Sequence, residues 1–111
     1  MHVIEINDGE LMQTLTDRLA DLGIKHGAIV SLIGAVDAFR ISTMPADDAT
    51  SDTVTDYALP AEMSGTGEVV DGTPHLHAVM AVEGDRALSG HLHSAQVGTW
   101  FARVYVLPTD S

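Results

Sequence analysis

GTPHLHAVMAVEGDRALSGHLHSAQVG, residues 72–98, carries four of the chain's six histidines in two His-Leu-His triplets. The triplets flank a Glu83-Gly84-Asp85-Arg86 turn, so the stretch reads as a β-hairpin. Side chains two apart on a strand share a face. His75 and His77 therefore point together, as do His91 and His93, while Leu76 and Leu92 point the other way into a core. Register decides whether the two histidine pairs meet. A two-residue turn at Glu83-Gly84 places His77 opposite Gly90 and puts the pairs on opposite faces. One bulge reverses that parity, and Gly90 suits a bulge because glycine adopts positive φ without steric cost. An odd-length loop such as Gly84-Asp85-Arg86 reverses it equally well.

Working outward, His2–Ile6 reads as a strand. Asn7 and Glu10 then resemble a capping box opening a helix over about residues 8–22. Leu11, Leu15, Leu19 and Leu22 recur at helical spacing, and Gly23 suits the left-handed position that ends the helix. Ala28–Ile33 is β-rich and nearly all apolar, Gly34 marks a bulge or a close backbone approach, and Val36–Ser42 continues as strand. Residues 44–56, MPADDATSDTVTD, read as a mobile acidic surface loop with no ligand role. Further strands cover the region of residues 57–82 and the end of the chain, where Val104 and Val106 alternate with Arg103 and Tyr105. The expectation is a compact single α+β domain spanning residues 1–111, a mostly antiparallel sheet of six or seven strands with one main helix.

With 111 residues, 45% of them hydrophobic, the chain suffices for one core. Its formal charge is −11, and its five cations (Arg18, Lys25, Arg40, Arg86, Arg103) never cluster. Nucleic-acid binding draws on neutralising phosphates, so this charge argues against direct DNA contact. No apolar run is long enough to span a bilayer and no signal-peptide pattern opens the chain, so the expected location is cytoplasmic, without membrane contact. The absence of cysteine excludes thiolate chemistry and Cys-type zinc sites.

Any metal here must be held by His, Asp or Glu. Neutral imidazole is the commonest protein metal ligand, and several imidazoles without thiolate suit Zn, Cu, Ni or Fe better than Mg or Ca. A divalent transition ion, zinc first, is the expected cofactor. Glu68, Asp71 and Glu83 stand near the histidines in sequence and offer a general base or a hydrogen-bond partner for a ligand. His2 and His26 read as surface residues. No nucleophile elbow or phosphate loop is present.

GIKHGAIVSLIGAVDAF (residues 23–39) together with HLHAVMAVEGDRALSGHL (residues 75–92) resembles the plant-and-prokaryote-conserved (PPC) domain. The resemblance covers most of the chain. It implies a compact, largely antiparallel domain assembling as a homotrimer, with a metal set matching His75, His77 and His91. His93 lies outside the family's Gly-His-Leu pattern and stands as a fourth ligand, a supporting residue or an incidental histidine. Plant members accompany an AT-hook and act in transcriptional regulation. This chain carries no such basic arm, so a DNA-associated role would run through protein partners; a metal-dependent enzyme acting on a small molecule is the alternative. The family tends to place an acidic residue in the last strand where this chain has Arg103, making Arg103 a pocket candidate selecting an anionic ligand.

Overall fold

A computed structural model describes all residues, Met1–Ser111. Nine strands and one helix follow in order: β1 (His2–Ile6), β2 (Gly9–Glu10), α1 (Leu11–Asp21), β3 (Gly27–Val36), β4 (Ala38–Thr43), β5 (Thr53–Tyr57), β6 (Ala61–Val70), β7 (Thr73–Val82), β8 (Arg86–Val97) and β9 (Ala102–Pro108). All pairings are antiparallel, in the order β1-β9-β3-β6-β7-β8-β4-β5, with β2 paired to the far end of β8. The helix touches β1 near one end of that order and β7 and β8 towards the other, so the sheet curls around it. This is the single α+β domain expected, with the sheet extended to nine strands.

The helix is amphipathic, and Leu11, Leu15 and Leu19 are fully buried on its inner face. Each such leucine stabilises the fold by about 1.5–3 kcal/mol relative to exposure. The helix starts at Leu11 rather than near residue 8, and its cap is Glu10, not Asn7. The Glu10 carboxylate accepts hydrogen bonds from the backbone N–H groups of Met12 and Gln13, both 2.9 Å, and of Ala95 at 3.0 Å. The last bond comes from β8, so the helix start is set by a tertiary contact. At the other end, Gly23 has φ +70°. Its N–H donates to the Ala20 carbonyl and that of Ile24 to the Leu19 carbonyl, the paired bonds of a Schellman motif. Leu22, in the cap, is exposed and drops out of the apolar stripe.

β7 shows strict alternation: Pro74, Leu76, Ala78, Met80 and Val82 are buried, their neighbours exposed. The inward residues of all the long strands join the helix leucines in one core of 24 residues. Gly34 is a close approach, because a Cβ there would run into the Phe101 carbonyl. β6 and β7 meet through a two-residue turn, Asp71-Gly72, with φ +50° and +77°, the backbone of a type I′ hairpin. The segment read as a loop over residues 44–56 ends earlier: Thr53–Tyr57 pairs with β4 as an edge strand. Four of its five residues are exposed, so it lacks the apolar alternation by which strands are recognised.

Candidate metal centre

The β7–β8 ladder settles the parity of the histidines. His77 lies opposite His91, Ala78 opposite Gly90 and Val82 opposite Arg86. The connection is therefore the three-residue loop Glu83-Gly84-Asp85, one residue earlier in the chain than the odd-length alternative. Gly84 and Asp85 both take positive φ, +85° and +58°. No bulge interrupts this ladder, so Gly90 does not reverse the parity. Its role is proximity: a Cβ at Gly90 would run into the Ser42 carbonyl, so glycine lets β4 close onto β8.

All four histidines consequently emerge on the outer face of the sheet. His75 Nε2 and His91 Nδ1 stand 3.0 Å apart, and the ring centroids of His75 and His77 are 5.0 Å apart. Ligand atoms of His75, His77 and His91 all lie within 4.8 Å of one another. Two nitrogens on one tetrahedral ion, each bonded at about 2.0–2.1 Å, are separated by about 3.3–3.4 Å. The His75–His91 separation is close to that edge, and a ring nitrogen of His77 lies within 4.8 Å of both. The three residues fit a single ion of the imidazole-preferring kind.

His93 is engaged elsewhere. Its Nε2 shares a 2.7 Å hydrogen bond with the hydroxyl of Ser42, the one buried polar residue of the chain. A shift in the β4–β8 register explains this: Arg40 pairs with Ser94 but Ile41 with Leu92, so the extra residue on β8 is His93. Its ring packs against His91 at 4.5 Å between centroids. His93 thus braces His91 from the side while Ser42 holds His93.

Burial, and then the charges His75, His93 and His77 would carry, hold the proton affinity of His91 below the ordinary imidazole value, with Asp52 opposing them. A depressed value keeps this ring neutral, the form that binds a metal. Glu68 pairs across the ladder with His75, its Oε2 4.0 Å from His75 Nδ1. It faces the ring without touching it, placed to orient that ligand. Arg103 is far off: its Nε donates to Glu5 Oε1 at 2.7 Å and its guanidinium lies 4.2 Å over Phe101, three strands from β7. Asp71 lies near His26, at 3.5 Å, and Glu83 sits in the β7–β8 loop, outside the cluster. His2 and His26 also lie outside it.

Beside the histidines opens a cleft of about 900 Å³, bordered by His77, His91 and Asp52. Asp52 is not visible as a site residue in the sequence because it sits in the acidic segment before β5. Only the pairing of β5 to β4 carries it to the site, and nothing in the local sequence signals that pairing.

Fold and site together define a class: a one-domain α+β protein whose curled antiparallel sheet carries an imidazole cluster on its outer face. The chain matches the Plants and Prokaryotes Conserved (PCC) domain over residues 1–109 and belongs to that family. It is similar to a metal-containing protein from Archaeoglobus fulgidus, at 26% identity and TM-score 0.75, over 96% of this chain and 77% of that one. The fold also matches a plant- and prokaryote-conserved (PPC) protein from Pyrococcus horikoshii, at 20% identity and TM-score 0.81, over 99% and 79% of the two chains. A Bacteroides thetaiotaomicron protein, named as a candidate DNA-binding protein, is 23% identical with TM-score 0.78, over 98% and 78%. No curated protein matches the chain. No helix is long and apolar enough to cross a membrane.

Proposed function

We propose that this PCC-domain protein binds one divalent transition ion per chain through His75, His77 and His91, with zinc the first candidate. The observation that carries the reading is the convergence of three imidazoles within 4.8 Å on one sheet face. The metal content named for the Archaeoglobus relative supports it. Three neutral ligands would hold the ion, and a bound ion there would supply Lewis-acid character. The chain's own residues hold the site: His93 packs against His91, and Glu68 faces His75.

In this proposal the protein works as a homotrimer in the cytoplasm, and its regulatory, DNA-associated role runs through protein partners. The basic side chains support indirect association. Arg40 pairs with Asp56 and Arg103 with Glu5, so two of the five cations are already engaged by carboxylates, and the formal charge of −11 opposes a phosphate backbone. The second reading, a metal-dependent enzyme, is favoured by the cleft beside the histidines.

Metal analysis of the purified protein tests the proposal. About one ion per chain is expected, and the His75→Ala/His77→Ala variant is expected to lose it while keeping its circular dichroism spectrum. Negligible metal in the wild type, or an unchanged content in the variant, defeats the reading.

A further inference from the structure

The cleft beside the three histidines has a chemical character of its own. At about 900 Å³ it falls within the size range of small-molecule sites. His77 and His91 border it, whereas His75 and Glu68 do not, so an ion held by the trio is within reach of a molecule in the cleft. Hydroxyl residues form the remaining polar wall: Ser42 and Thr43 from β4 on one side, and Ser64 and Thr66 from β6 with Ser89 from β8. Ser64, Thr66 and Ser89 are exposed, and Thr66 stands directly opposite His77 in the β6–β7 ladder. Val79 adds an apolar surface between them. No lysine or arginine borders the space, and its one carboxylate is Asp52.

We propose that this cleft binds a small polyhydroxylated monocarboxylate, a molecule of the sugar-acid class, with its carboxylate end at the histidine site and its hydroxyls along Ser64, Thr66, Ser89 and Asp52. The inference rests on the metal reading above. Charge selects the class. A doubly positive ion held by three neutral imidazoles beside the Asp52 carboxylate would leave one positive charge along the cleft, which one carboxylate balances. A phosphoryl group or a second carboxylate has no cationic side chain to meet it in the cleft, and it would lie against the like charge of Asp52. Hydrogen bonding selects the rest. A carboxylate such as that of Asp52 accepts, while serine and threonine both donate and accept. A chain of hydroxyls satisfies all of them, and its C–H edges suit Val79. A plain fatty acid of the same length displaces water from those groups without replacing its hydrogen bonds, which loses affinity.

Isothermal titration of the zinc-loaded protein, its metal content verified first, tests this with gluconate as probe. Gluconate is expected to bind, with hexanoate and the doubly charged glucarate each at least about tenfold weaker. The Ser64→Ala/Thr66→Val/Ser89→Ala variant changes only exposed side chains and keeps the histidines; it should lose about tenfold for gluconate with hexanoate unaffected. Asp52→Asn should narrow the gap between glucarate and gluconate. Gluconate binding that is absent from zinc-loaded protein, that hexanoate equals, or that the triple variant preserves overturns the inference and leaves the metal reading standing. So does a cleft closed by a neighbouring copy in solution, seen as equal silence towards all three probes. A protein that takes up no ion overturns both.

Discussion

His93 shows how one residue's role turns on a single extra position in a strand. In an unbroken strand the second His-Leu-His triplet would mirror the first, and four rings would compete for one ion. The register shift between Arg40 and Ile41 instead hands His93 to Ser42. His93→Phe keeps a flat ring against His91 but strands the buried Ser42 hydroxyl. It is expected to lower the unfolding free energy by about 1–3 kcal/mol in urea titration, with the metal stoichiometry unchanged. Loss of the ion would make His93 a ligand after all. His91 supplies a pH prediction. Unfolded, it titrates near its ordinary 6.5; folded, burial and its histidine neighbours hold it lower. Between those two values the unfolded chain binds a proton that the folded chain refuses, so metal-free protein loses stability as pH falls below about 6.5. The melting temperature in EDTA should drop between pH 7.5 and 5.5, and His91→Asn should show a smaller drop. An equal drop in the variant would place the acid sensitivity elsewhere.

At the level of elements, the sequence displays what is local and conceals what is tertiary. The leucine stripe of α1 and the Gly23 stop are visible because each depends on residues within a turn or two. The alternation of β7 is visible because each face meets one kind of surroundings. The parity of the β7–β8 hairpin is not, since two- and three-residue loops both suit Glu83-Gly84-Asp85-Arg86 and differ by one peptide. β5 hides for the opposite reason, being an edge strand with almost nothing to bury. Asp52 hides with it, and the Glu10 cap hides because one of its three donors is Ala95. The histidine trio itself was legible, but as a family pattern; the residues alone allowed four candidates. The loop that sets the parity can be tested directly. Asp85 sits at φ +58°, where a β-branched side chain is strained. Asp85→Val should destabilise the protein by about 1–2 kcal/mol, whereas Asp85→Gly should cost little. Equal midpoints in chemical denaturation for the two variants would show that the loop does not hold this backbone.

On the scale of the whole molecule, the charge of −11 and the pairing of Arg40 and Arg103 within the sheet set a boundary on partners. Purified protein is expected to leave a labelled DNA duplex unshifted in gel retardation even at low salt, where phosphate contacts count most. A shift that vanishes as salt rises would show a basic surface that the fold does not display. In sedimentation, the expected species has the mass of three 11.7 kDa chains; a lone chain would remove the trimer from the proposal. The hairpin has a consequence in time as well. Most of the sheet depends on distant partners: Ser42 meets His91, and Gly27 meets Pro108. Such pairings close slowly, whereas a hairpin forms within about 1–10 μs. All three proposed ligands lie on the hairpin between residues 75 and 91, so the ion's donors assemble before the domain does. Zinc present at the start of refolding should therefore accelerate the chain, acting as a template for the other seven strands to find, and stopped-flow fluorescence of Trp100 would time it.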